Sequence, residues 1–123
     1  MTSDKTIFIS YALEDVRTRD IVMGQSLETE SDFEYVDMEV KEPWSAEWKE
    51  RVKLRIRRCD GVIVLVSKNS LISSAQKWEI ACARSESKRI RGIWIYNNDK
   101  TQIEGVSTGV WAWETLASFV DSL

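Results

Sequence analysis

The sequence predicts an α/β fold in which a parallel sheet of four or five strands lies between two layers of helices. Short runs rich in β-branched residues alternate with longer helical patterns, and this alternation is typical of three-layer αβα folds. One run, Gly61–Val66, is apolar throughout, as a central strand covered on both faces should be. The 123 residues, of which 43% are hydrophobic, suffice for one core, so we expect a single domain over residues 1–123.

The first half of the chain predicts two strands and two helices. Ile7–Ile9 is a short strand, and a helix follows from about Glu14, where apolar residues recur on one helical face. Phe33–Met38 alternates apolar and acidic residues, which indicates a half-exposed strand near a sheet edge. Pro43 and Ser45 open a second helix with an apolar residue at every fourth position. These positions are Trp44, Trp48, Val52 and Ile56.

The second half of the chain completes the sheet. After the central strand, Ser73 and Gln76 have the spacing of a capping box and open a third helix that runs to about Lys88. Gly92–Tyr96 is the fourth predicted strand. The remaining segments are a loop or short edge strand at residues 105–109 and a closing helix over Trp113–Leu123. Because right-handed crossovers join parallel strands, we expect the flavodoxin-like order 2-1-3-4, with a fifth strand beyond the fourth where one forms.

Such sheets bind ligands at the carboxyl ends of their strands, in the crevice between the first and third strands. This rule selects the loops that begin at Ser10, Met38 and Ser67, together with the start of the third helix. The loop after Ser67 is rich in hydroxyl and amide groups, including Ser70, and its backbone amides could hold phosphate or ribose oxygens. A plain connection from strand to helix explains that composition equally well.

Composition excludes several kinds of site. The chain has no histidine, which excludes Ser-His-Asp and Cys-His catalysis and most catalytic zinc sites. It also lacks the glycine-rich loops that bind dinucleotides or nucleotide phosphates. Its two cysteines, Cys59 and Cys82, lie in apolar contexts and are expected to be inert core residues. Chemistry must therefore come from carboxylates, hydroxyls, amides or arginines, and no metal ion is expected.

The net charge and the apolar runs of the chain indicate which partners and which cellular location to expect. The net charge of -3 gives no electrostatic reason to expect nucleic acid or an anionic membrane as a partner. Polar residues at positions 1–5 precede only a short apolar run, so no signal peptide is predicted, and no stretch is long enough to span a membrane. We therefore expect a cytoplasmic location.

Carboxylates occur at two places near the predicted ligand-binding edge. Glu14 and Asp15 begin the helix after the first strand, where the helix dipole favours negative charge, so capping and a role in a pocket both stay open. Glu79 lies in the third helix beside Trp78, in an otherwise apolar run. Its spacing with Glu86 favours a solvated stripe.

A second interpretation of Glu79 is that it lines a cleft. Burial would then raise its pKa, and the carboxylate would stabilise or attack an oxocarbenium-like sugar. Trp78 would supply an aromatic wall for a flat base or nicotinamide ring. This chemistry breaks an N-glycosidic bond whose leaving group is already a cation, since such a leaving group needs no acid.

Two stretches resemble the conserved boxes of Toll/interleukin receptor (TIR) domains. Phe8–Asp15 is similar to the first box, a strand that runs into Ser-aromatic-x-x-x-Asp. A second stretch is similar to the second box and the helix beyond it; it consists of Ile56–Ser67 with Ser70, Ser74, Trp78 and Glu79. With Trp48 and Ala83, the combination is similar to the stand-alone bacterial TIR-like proteins of Thoeris antiphage defence.

The resemblance implies an enzyme that consumes NAD. Catalytic TIR domains cleave the nicotinamide–ribose bond to give ADP-ribose or a cyclic isomer, and their catalytic glutamate corresponds to Glu79. NAD is the substrate and no separate cofactor is implied. The cyclic product of the Thoeris group activates a separate effector protein. The expected substrate contacts are Ser10, Tyr11, Ser67, Ser70 and Trp78.

An alternative function is that of a non-catalytic adaptor that associates with itself or with other proteins through TIR-type surfaces. Glu79 would then be a surface charge, and Trp44 and Trp48 would be contact residues. Their fourfold spacing instead favours core packing for both tryptophans. A receiver-like signalling module is disfavoured, because it would need an Asp where the central strand ends at Ser67.

Overall fold

The computed structural model describes residues 5–28, 33–38 and 40–123. Within these ranges, five parallel strands form one sheet in the order β2-β1-β3-β4-β5. The strands are β1 (Lys5–Ser10), β2 (Phe33–Val36), β3 (Gly61–Val66), β4 (Ile90–Trp94) and β5 (Thr108–Val110). The α-helices are α1 (Val16–Glu28), α2 (Ala46–Arg58), α3 (Ser74–Ser85) and α4 (Trp113–Asp121). The predicted flavodoxin-like order is confirmed, and the fifth strand is present.

The sheet has an apolar core on each face, because successive side chains of a strand point to opposite sides. Val62 and Val64 of β3 face the core that α2 and α3 cover. Ile63 and Leu65 face the core that α1 and α4 cover. Every residue of β3 is buried, which explains why this strand lacks the alternation of apolar and polar residues.

Two element boundaries differ from the sequence-based prediction. β2 ends at Val36, before the predicted Met38, because its pairing with β1 stops there. α3 ends at Ser85, short of Lys88, because Ser87 adopts a left-handed backbone conformation with φ 56° that closes the last turn.

The start of α2 corrects the prediction for one of the two tryptophans. Ser45 is the N-cap, and its Oγ accepts a hydrogen bond from the backbone N–H of Trp48 at 3.2 Å. Trp44 therefore precedes the helix, and its fourfold spacing with the helical residues has no structural meaning. Core packing is confirmed for Trp48, which is buried, and is wrong for Trp44, which is 78% exposed.

The two cysteines fit their expected role as core residues. Cys59 and Cys82 are both buried and not joined in a disulfide. Burial raises the pKa of both thiols, so the reactive thiolate is disfavoured at neutral pH.

Among the helices of the described residues, none combines the length and the apolar character needed to cross a membrane.

Candidate functional site

Four polar side chains from three parts of the chain meet where the carboxyl ends of β1 and β3 lie side by side. Ser10 ends β1, Gln76 and Glu79 lie one turn apart on α3, and Lys41 comes from the segment between β2 and α2. Ser10, Gln76 and Glu79 have no exposed surface, and only 4% of the Lys41 side chain is exposed. We refer to these four residues as the switch-point cluster.

Glu79 is the centre of this cluster. Its Oε1 accepts a hydrogen bond from Ser10 Oγ at 2.8 Å, and its Oε2 accepts one from Lys41 Nζ, also at 2.8 Å. Burial raises the pKa of Glu79 to about 7, although the Lys41 ammonium and the Ser10 hydroxyl act in the opposite direction. The solvated stripe favoured by the spacing is therefore wrong. α3 ends before Glu86, so the stripe does not continue, and Glu79 faces the sheet.

A second ion pair lies next to the first, and the cations of both pairs contact the ring of Tyr11. Lys41 Nζ is 4.1 Å from the centroid of the buried Tyr11 ring, and the Arg19 guanidinium carbon is 4.8 Å from the same centroid. Arg19 pairs with Asp37 at 2.6 Å. The Asp37 carboxylate adds to the factors that raise the pKa of Glu79. Tyr11 therefore lies close to Glu79, and its ring favours positive charge at this position. Its contact with substrate stays a prediction.

Gln76 spans the crevice between β1 and β3. Its Nε2 donates to the backbone carbonyl of Ser10 at 3.2 Å and to that of Leu65 at 3.0 Å. Its Oε1 is buried and accepts no hydrogen bond from the described residues. Only half of the predicted capping box is present: Ser73 Oγ accepts a hydrogen bond from the Gln76 backbone N–H at 3.1 Å, whereas the Gln76 side chain bonds to the strand carbonyls and not to Ser73.

Asp15 forms another buried cluster at the same edge of the sheet. Its carboxylate accepts hydrogen bonds from Ser67 Oγ at 2.5 Å, from Asn69 Nδ2 at 2.8 Å and from the Tyr96 hydroxyl at 2.8 Å. These donors follow β3 and β4, so Asp15 joins the loops after three neighbouring strands. Asp15 is not a helix cap, because its carboxylate accepts hydrogen bonds from side chains of other loops. Glu14 is exposed.

The structure brings only some of the predicted site residues together. Ser10 and Tyr11 lie at Glu79, as described above. Ser67 instead donates its hydroxyl hydrogen bond to Asp15. Ser70 Oγ accepts from the Ser67 backbone N–H at 3.1 Å and caps the turn that follows β3. Both hydroxyls are thus used within the protein, and their proposed contacts with substrate gain no support from this geometry.

Trp78 points away from the switch-point cluster. Its ring packs edge-on against Trp48, with 5.7 Å between the ring centroids, in the contact between α2 and α3. Consecutive residues of a helix point about 100° apart, so Trp78 and Glu79 face different neighbours. The prediction that Trp78 forms an aromatic wall beside Glu79 is wrong.

Sequence reasoning missed Lys41 and the Gln76 side chain. Lys41 lies in a segment rich in charged residues, where nothing in the pattern marks one lysine as buried. Gln76 was identified only as the partner of a helix cap. Its position three residues before Glu79 was the available signal, because residues i and i+3 share a helix face. In the described part of the chain, no three His, Cys, Asp or Glu residues are grouped so as to hold a metal ion.

We expect Asp15→Asn to destabilise the protein by about 2 kcal/mol, because an amide keeps one acceptor oxygen where the carboxylate serves three donors. Chemical denaturation measures the effect. Glu14→Gln is the matched control, since it changes the same charge at an exposed neighbour. Equal stability of the two variants would show that Asp15 does not hold the three loops together.

Comparison with known proteins identifies the family. Residues 8–100 match the model of the TIR-like domain of the Thoeris protein ThsB. No curated protein matches the chain. Among solved structures, the chain is similar to diflavin flavoprotein A3 from Nostoc sp., with 14% identity, a TM-score of 0.49, and coverage of 87% of this chain and 75% of that one. Because the family match spans most of the chain and includes Ser10, Lys41, Gln76 and Glu79, this protein belongs to the ThsB TIR-like family of Thoeris antiphage defence.

Proposed function

We propose that this protein cleaves NAD at the bond between nicotinamide and ribose, releasing nicotinamide and leaving ADP-ribose or a cyclic isomer of it. The observation that carries the proposal is the buried Glu79 carboxylate, held by Ser10 and Lys41 at the ligand-binding edge of the sheet. Membership of the ThsB TIR-like family supports it. The protein would act in the cytoplasm, and a cyclic product would diffuse to a separate effector protein.

The chemistry needs little beyond one well-placed negative charge. The nicotinamide of NAD is already cationic, so it leaves with the bonding electron pair and requires no general acid. The ribose carbon then becomes positively charged, and an ionised Glu79 stabilises that charge or attacks it. Water that adds to the carbon, losing a proton, gives ADP-ribose, whereas a group of the same nucleotide that adds there gives a cyclic isomer. The lack of histidine is compatible with this route.

Substrate access requires a local change. Glu79 has no exposed surface while Lys41 lies on it, so NAD reaches the carboxylate only after the Lys41 side chain moves away from it. The Lys41 ammonium lies between the Glu79 carboxylate and the Tyr11 ring, where positive charge is favoured. The cationic nicotinamide ring would take its place in the complex.

The experiment is incubation of the purified protein with NAD, with nicotinamide release followed by chromatography and the product identified by mass. A product lighter than ADP-ribose by one water is the cyclic isomer. The assay is run over a range of protein concentrations, with and without an extract of phage-infected cells. Absence of nicotinamide release under all of these conditions would refute the proposed activity.

One observation favours the adaptor function as a second candidate. Trp44 is 78% exposed and Val40 is 59% exposed, and both lie in the segment between β2 and α2. Large apolar side chains that are exposed close together are typical of protein interfaces. If the protein is an adaptor, Trp44→Gln will abolish phage defence in cells while Glu79→Gln retains it. An enzyme gives loss of defence with Glu79→Gln.

A further inference from the structure

We propose that Gln76 is a positioning residue, which holds the Glu79 carboxylate in its reactive place by fixing Ser10. The inference rests on the proposed cleavage of NAD and assigns to that site a residue that touches neither the substrate nor the reacting bond.

β1 and β3 separate at the end of their paired register. Their paired register ends at Ser10 and Val64, so the carbonyls of Ser10 and Leu65 lie where the hydrogen-bond ladder between the strands stops. Gln76 Nε2 donates to both carbonyls, at 3.2 and 3.0 Å. The amide group of Gln76 therefore continues the connection between the strands past the end of the ladder and fixes the backbone of Ser10.

Ser10 transmits this constraint to Glu79 through its hydroxyl group. The Ser10 carbonyl accepts from Gln76, and the Ser10 hydroxyl donates to Glu79 Oε1 at 2.8 Å. Gln76 and Glu79 are three residues apart on α3, so the two hydrogen bonds and one turn of helix form a closed ring. Movement of Ser10 in this ring changes the position of the Glu79 carboxylate directly.

The two carbonyl acceptors determine the orientation of the Gln76 amide. Rotating the amide by half a turn would place Oε1 against two carbonyl oxygens, so the acceptors fix Nε2 at the strand ends. Oε1 is then left buried without a hydrogen-bond partner among the described residues. An unsatisfied buried oxygen is unfavourable, and an apolar side chain of similar volume would fill the space without it. Gln76 therefore contributes the two hydrogen bonds that its Nε2 donates to the carbonyls of Ser10 and Leu65.

The test is a double-mutant cycle with the pKa of Glu79 as the readout, measured by NMR titration of the labelled side-chain carboxyl. Ser10→Ala should raise this pKa, because the Ser10 hydroxyl lowers it. Gln76→Met, which keeps the length and removes the donors, should raise it too. The double variant should match Ser10→Ala alone, since Gln76 acts through Ser10. Lys41 and Asp37, the other charged groups facing Glu79, are unchanged in every variant.

Additive shifts, or no shift in Gln76→Met, would overturn the proposal. Gln102→Met is the matched control, because Gln102 is exposed and remote in sequence from the cluster. If Gln76→Met does not fold, Gln76→Asn replaces it, because its amide is one methylene too short to reach both carbonyls.

The cycle is repeated on kcat for nicotinamide release. We expect Gln76→Met to lower kcat by about 10²-fold with little change in KM, as misplacement of a catalytic group does. A fall confined to KM would contradict a positioning role. If the parent protein does not cleave NAD, the proposed function is wrong, whereas the pKa cycle still decides whether Gln76 positions Glu79 through Ser10.

Discussion

Glu79→Gln is expected to lower the rate of nicotinamide release from NAD by about 10⁴-fold. The amide has the shape of the carboxylate and keeps one acceptor oxygen for the two donors Ser10 and Lys41, but it carries no negative charge to stabilise or attack the ribose carbon. The measurement is single-turnover release of nicotinamide with protein in excess over NAD. Glu14→Gln is the control, since it removes an exposed carboxylate near the same edge of the sheet.

The outcome separates the two candidate functions. An adaptor would lose nothing when Glu79 becomes neutral, because the side chain is buried and unavailable to a protein partner. Parental activity in Glu79→Gln would mean that another group carries the reaction and that the switch-point cluster is structural. Thermal unfolding of the variant must be measured alongside, so that loss of activity is not confused with loss of fold.

The fold could be predicted from sequence because its signals are local. β1 and β3 contain short apolar runs, β2 alternates apolar and acidic residues, and α2 has a clear helical period. Right-handed crossovers then leave few ways to order the strands. Gly61–Val66 shows this well, since its unbroken apolar pattern already requires a position in the middle of the sheet.

The site could be predicted only in part because its contacts are distant in sequence. Glu79 is separated by 69 residues from Ser10 and by 38 from Lys41. The helical period predicts only the side of α3 on which Glu79 lies. Whether the carboxylate is solvated or buried depends on the residues that pack against that side, and these are distant in sequence. The spacing with Glu86 therefore favoured the wrong environment, while the topological rule about strand ends selected the right loop at Ser10.

Two errors were avoidable from local chemistry. Trp78 and Glu79 are neighbours in a helix, and the angle of about 100° between adjacent helical side chains disfavours a shared pocket. Ser45 is a strong N-cap residue, and a helix that begins after it leaves Trp44 outside. In both cases the geometry of the helix, and not the pattern of apolar residues, determines which side chains share a surface.

The burial of Glu79 has a consequence for stability that is independent of any activity. Between pH 4.5 and about pH 8, we expect the free energy of unfolding of the parent to fall by about 3 kcal/mol relative to Glu79→Gln. The pKa of Glu79 is about 7 in the folded protein, against an ordinary value of 4.5. Between these values the folded state binds more protons than the unfolded state, so stability decreases as pH rises.

The measurement is urea denaturation of both proteins across this range of pH. Taking the difference between them removes the contribution of every other titrating group and of any constant effect of the substitution. The difference should be flat well below pH 4.5, fall as pH rises from about 4.5 to about 7, and be flat again well above pH 7. Parallel profiles would mean that Glu79 titrates as an exposed carboxylate does, which would remove the case for a dry catalytic pocket.

The variant Lys41→Met provides a second test of the pH dependence of stability. The Lys41 ammonium is the largest of the factors that lower the pKa of Glu79, so its removal should raise that pKa further and move the loss of stability to higher pH. The pairing also explains how a carboxylate with no exposed surface remains partly ionised near neutral pH, because a buried charge needs a partner of opposite sign. If Lys41→Met leaves the profile unchanged, the ammonium does not lie on Glu79 in solution, and the segment that carries it does not close the site.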